Sequence, residues 1–136
     1  MNYLYPYCKG INLFVSGRIA AEDARRQEDT AREILKRLSK QPGLILADEV
    51  GMGKTFVALA VAVSVTLANK KRRPVIVMVP PSLREKWPSD FSVFKQKCLP
   101  RELAQTLRSG SADRAEDFLK MLDDPPERKN SLIFIT

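Results

Sequence analysis

The sequence predicts an α/β fold in which a parallel sheet carries helices on both faces. Three observations point there. Apolar runs at residues 44–47, 75–79 and 132–135 lack polar alternation, as expected of parallel strands covered on both sides. Stretches of helical length and period separate these runs. A glycine-containing loop ending in Gly53-Lys54-Thr55 lies between the first run and the helix after it, the strand–loop–helix shape of a phosphate-binding turn.

The elements follow in order. Residues 1–18 are mixed, with Tyr3, Tyr5 and Tyr7 alternating around Pro6, and read as an extended lead-in. Residues 20–40 contain neither Pro nor Gly, and Ala31, Ile34, Leu35 and Leu38 recur at helical spacing among charged neighbours. This is a one-sided amphipathic helix, closed by Pro42 and Gly43. Residues 44–47 form a short buried strand and 48–53 a loop. Residues 56–68 are apolar nearly all round and predict a helix buried against a sheet. Residues 75–79 form a second strand, stopped by Pro80 and Pro81.

Ser82 then opens a helix, with Glu85 at capping-box spacing, and Pro88 breaks or kinks it. Residues 102–107 and 114–122 are further short helices, the second closed by Pro125 and Pro126. Residues 132–135 form a third strand. Two parts are expected: a lead-in with the amphipathic helix over 1–41, and the sheet-bearing part over 42–136.

Composition supports a folded chain and removes several chemistries. With 44% apolar and 29% charged residues in a length of 136, wholesale disorder is excluded. There is no His, and the cysteines are Cys8 and Cys98. A Cys/His zinc site, a His general base and a multi-disulfide framework are therefore ruled out. The balance of 23 Lys plus Arg against 16 Asp plus Glu leaves a formal charge of +7, which favours polyanionic partners. No segment is apolar for the roughly 18 to 20 residues that span a bilayer, and the start does not resemble a signal peptide. A cytoplasmic protein with no membrane partner is the expectation.

The loop has a definite physical task. Gly51 and Gly53 allow positive φ and let backbone N–H groups approach a phosphate. The N–H groups of Val50, Gly51, Met52, Gly53, Lys54 and Thr55 form an anion cradle at a helix N-terminus. Lys54 reaches the β- and γ-phosphates of a nucleotide, and the Thr55 hydroxyl ligates Mg²⁺. ATP with Mg²⁺ is the expected ligand. Asp48 stands where the strict P-loop has its first Gly.

That departure resembles a particular family. DEVGMGKT is similar to motif I of superfamily-two helicases, above all Swi/Snf-like DNA translocases, where an Asp-Glu pair precedes Gly-x-Gly-Lys-Thr. VIVMVPPSLREKWPSDF resembles motif Ia of the same family, although Trp87 and Phe91 match only its general order. Gln27, one helix upstream of the loop, corresponds to an adenine-reading Gln; the alternative is an exposed helical Gln. The resemblance covers residues 25–94. It implies a three-layer P-loop NTPase lobe of the RecA-like type, incomplete here, and a nucleic-acid-dependent ATPase.

For motif Ia, Pro81, Ser82, Arg84 and Lys86 are the candidate nucleic-acid contacts, on the rim shared with the phosphate loop. Trp87 is read as core packing. The denser run of Lys70, Lys71, Arg72 and Arg73 falls on the opposite rim and reads as a solvated turn. Asp123 and Asp124 read as a helix end. The resemblance implies a metal-holding Asp-Glu pair after an apolar strand and arginines from a second RecA-like lobe. Neither is found in these 136 residues, so no catalytic residue is assigned and the chain alone is expected to be inactive. DNA rather than RNA is the expected partner. A P-loop kinase or regulatory ATPase without a nucleic-acid role is the alternative.

Overall fold

The protein is described by a computed structural model over residues 4–47 and 53–136. Among these residues, five helices and three strands run in the order α1 (Ala21–Leu38), α2 (Lys54–Ala68), β1 (Val75–Met78), α3 (Lys86–Cys98), α4 (Arg101–Thr106), β2 (Ser109–Ala112), α5 (Ala115–Leu122) and β3 (Leu132–Ile135). A single 3₁₀ turn, Pro81–Leu83, links β1 to α3.

The strands form a parallel sheet in the order β1-β3-β2. β3 is central and its Leu132, Ile133 and Phe134 are fully buried. Alternation along the strand sends Leu132 and Phe134 into the main core with Val57, Leu59, Val63, Phe91 and Phe94 of α2 and α3. The opposite face, to which Ile133 turns, is covered near β2 by α5: a Cβ on Gly110 would meet the Met121 sulfur at 3.0 Å. Helices therefore lie on both faces, as expected for an incomplete lobe of the three-layer kind.

α2 packs against α1 as well as against α3 and β1, which is why it is apolar all round. The lead-in is tied to this core. Ile11 and Leu13 are buried, Cys8 N–H donates to Ser64 Oγ at 3.0 Å, and Asn12 N–H donates to Cys98 O at 2.8 Å. Burial pushes the Cys98 thiol pKa up, so it stays a neutral core residue rather than a nucleophile.

Four features differ from the sequence expectation. Residues 44–47 join no strand among the described residues, and Ile45 is 91% exposed. Leu44 and Leu46 instead line an apolar groove with Ile34, Leu38 and Met78, beside β1. β1 itself is an outer strand, with Met78 80% exposed. The capping box is also absent: Glu85, not Ser82, precedes α3, and no side chain caps it. Pro88 does not break that helix because it sits in the first turn, where its N–H would lack an intrahelical acceptor anyway. Finally, β2 has the composition Ser-Gly-Ser-Ala, which carries no strand signal.

Among the described residues, no helix is long and apolar enough to cross a membrane.

Candidate functional site

The site is organised by the start of α2. That helix ends near the N-terminal ends of the strands, where Thr66 Oγ1 donates to Ser131 O at 3.3 Å just before β3. Its 15 residues span about 22 Å, so its N-terminus points to the strands' carboxyl rim, where ligands of parallel α/β sheets lie. Gly53 precedes the helix with φ 72° and ψ 27°, a left-handed conformation that side chains disfavour. Lys54 and Thr55 are its first two residues and are half-buried.

Gln27 lies against this turn. It is 8% exposed, on the inner face of α1 with Ala24, Ala31 and Leu35. A Cβ placed on Gly53 would come within 2.0 Å of Gln27 Nε2 and 2.8 Å of Cδ. Position 53 therefore favours glycine through its backbone sign, and a side chain there would also require the Gln27 amide to turn aside. The reading of Gln27 as an exposed helical residue is corrected: it faces inward and meets the end of the loop.

Beside Gln27 and Gly53 opens a cavity of about 500 Å³, lined also by Leu13, Val15, Arg18, Ile19, Asp23, Arg26 and Phe56. That size falls in the range of small-molecule sites. The Arg18 guanidinium stacks over the Phe56 ring at 4.3 Å, and Arg26 pairs with Asp23 at 2.8 Å. The walls thus offer a flat cation–aromatic pair and an amide with both donor and acceptor. Sequence reasoning missed Arg18 and Phe56. Phe56 follows Thr55 directly and was open to notice; nothing in the sequence marks Arg18.

Of the other expected site residues, Val50, Gly51 and Met52 lie outside the described residues. Pro81, Ser82, Arg84 and Lys86 are all exposed, at the turn that leaves the carboxyl end of β1. Arg84 pairs with Asp113 at 3.2 Å and Lys86 with Asp90. Trp87 packs against the core. Asp123 caps the end of α5, which agrees with its reading as a helix end.

Gly53→Ala is expected to lower the thermal midpoint by about 4 °C or more. A left-handed backbone costs a non-glycine residue about 1–2 kcal/mol, and the methyl also drives into Gln27. Circular dichroism melts check this. In the pair Gly53→Ala/Gln27→Ala part of the loss should return, since removing the amide removes the overlap.

The model of the SNF2-related domain family matches residues 26–131. Among curated proteins the chain is 36% identical over 76 residues to the RNA polymerase-associated protein RapA of Pseudomonas syringae pv. tomato. That alignment covers 56% of this chain and 8% of the relative. It is 32% identical over 82 residues to an uncharacterized ATP-dependent helicase of Mycoplasma pneumoniae, covering 60% of this chain and 8% of that one. The chain thus spans about 8% of the length of these relatives. No solved structure matches it. With most of its length matched by the family model and its sheet, helices and loop-bearing α2 arranged as described, the chain belongs to the SNF2-related domain family.

Proposed function

We propose that this chain carries the ATP-binding part of a nucleic-acid-dependent ATPase of the superfamily-two, Swi/Snf-like translocase type. The observation that carries the reading is the contact of Gln27 with Gly53 at the N-terminus of α2, beside a cavity of nucleotide-compatible size. The amide of Gln27 can donate to and accept from an adenine edge at once, while Arg18 and Phe56 supply a flat wall. Family membership also disfavours the alternative of a kinase or regulatory ATPase without a nucleic-acid role.

The phosphates fall to Gly51, Gly53, Lys54 and Thr55, with Val50 and Met52 contributing backbone. The positive end of the α2 dipole lies at this N-terminus and favours an anion. Thr55 offers the hard hydroxyl oxygen that suits Mg²⁺, which when bound neutralises charge across the β- and γ-phosphates. For nucleic acid, the reading takes Pro81, Ser82, Arg84 and Lys86 as backbone contacts, with DNA as the substrate class. A second RecA-like lobe would complete the motor, and the cytoplasm is the proposed compartment.

Titration calorimetry with Mg²⁺-ATP tests the nucleotide site. Lys54→Ala removes a cation from the first turn of α2, and affinity should fall at least about tenfold, near 1.4 kcal/mol. Equal affinity in the two proteins would overturn the assignment.

A further inference from the structure

The rim opposite the nucleotide site, at the N-terminal ends of the strands, holds a second cleft, to which the run expected to be a solvated turn contributes Arg72 and Arg73. Its volume is about 440 Å³, and Arg72, Arg73, Arg108 and Lys129 line it. These residues come from three segments, those entering β1, β2 and β3. Only Glu127 among the lining residues carries a negative charge, and Arg108 Nη1 donates to its backbone oxygen at 3.0 Å.

The three segments are held in place before any ligand arrives. Asn69 organises the first: Lys71 N–H donates to its Oδ1 at 3.1 Å, Arg72 N–H to its backbone oxygen at 3.0 Å, and its own Nδ2 to Arg73 O at 3.2 Å. Arg72 is kept at φ 50°, which a non-glycine residue rarely adopts. Ser131 joins the other two, since Arg108 N–H donates to its Oγ at 3.2 Å and its own N–H to Arg108 O at 2.7 Å.

The cations on the two rims differ in their internal pairing. Arg84 and Lys86 are each paired with a carboxylate, Asp113 and Asp90. Among the described residues, none of Arg72, Arg73, Arg108 or Lys129 has a carboxylate at ion-pair distance. An anion arriving at the first rim must displace a carboxylate from each cation, whereas at the second the internal competitor is the Glu127 backbone oxygen that accepts from Arg108.

We infer that the cleft formed by Arg72, Arg73, Arg108 and Lys129 is a binding site for the phosphodiester backbone of duplex nucleic acid. Three guanidinium groups present planar forks suited to phosphate oxygens. The lining has no aromatic residue and no Met. Stacking platforms for unpaired bases are thus lacking, as are the aromatic and Met anchors typical of protein interfaces. What remains is sequence-independent backbone contact. The inference does not rest on the nucleotide site.

The test is fluorescence anisotropy of a labelled 20-base-pair random-sequence duplex, over a salt series, with the full 136-residue chain. Two disjoint variants address the cleft: Arg72→Gly/Arg73→Gln, which also suits the left-handed backbone, and Arg108→Gln/Lys129→Gln. Lys36→Gln/Lys40→Gln, two exposed cations outside the cleft, serves as comparison. Each cleft variant should weaken binding about tenfold near 0.1 M salt and lower the log–log salt slope by about 1.8, while the comparison changes it less than threefold. Circular dichroism confirms that each variant is folded, and either cleft variant alone decides if the other is not. Loss in a further variant, Arg84→Gln/Lys86→Gln, with both cleft variants binding as the unaltered chain does, overturns the inference. So does an equal loss in the two cleft variants and Lys36→Gln/Lys40→Gln, which would report net charge alone, or equal displacement by poly-glutamate at matched charge.

Discussion

Phe94→Ala is expected to destabilise the chain by about 3–5 kcal/mol, a large share of the roughly 5–15 kcal/mol that holds a domain together. Phe94 is fully buried on α3, and its ring lies 5.8 Å from that of Phe56 at 49°. Truncation therefore removes both the buried area and the tilted aromatic contact. Phe56 in turn walls the cavity and lies under Arg18, so the damage reaches the candidate site. Urea unfolding should show a midpoint at least about 1 M lower with little change in slope. A loss under 1 kcal/mol would mean that α3 closes over the gap, contrary to its tight packing.

The second large effect concerns chemistry. The 136-residue chain is expected to bind ATP and yet to hydrolyse it at least about a thousandfold more slowly than a motor with both lobes, because an arginine finger alone is worth 10³ to 10⁵ in rate. Among the described residues no cluster of acidic groups is placed to hold a metal ion. Asp123 and Asp124 follow a helix rather than a strand. Phosphate release measured with and without duplex DNA checks the expectation. Robust turnover that disappears in Lys54→Ala would assign the water-activating role to a residue of the loop, Glu49 foremost.

Legibility followed the source of each element's stability. α1, α2, β1 and β3 could be read because burial writes a period or an unbroken apolar run into the sequence. β2 could not, since Ser109–Ala112 is a strand through pairing with β3. Gly110 has no side chain because Asn130 Nδ2 and Met121 Sδ occupy the space, at 2.8 and 3.0 Å from where a Cβ would stand. Residues 44–47 erred the other way: apolar composition marks a segment that sticks to a groove as readily as one that joins a sheet. In the site, the glycines and Lys54 announced themselves by spacing. The meeting of Gln27 with Gly53 is a contact across the chain, and no local pattern encodes it. The same holds for the cleft, where Arg108 and Lys129 look unremarkable until the fold sets them beside Arg72 and Arg73.

The position of β1 bears on how the chain behaves in crowded solution. Its hydrogen-bonding groups on the side away from β3 meet no neighbouring strand among the described residues, and Met78 and the apolar groove lie alongside. An edge of this kind is a template for any extended segment, another copy included. The +7 charge keeps copies apart over distances that salt shortens to about 10 Å at 0.1 M. Colloidal stability therefore rests on a long-range repulsion that fades with ionic strength, set against a short-range adhesive edge that does not.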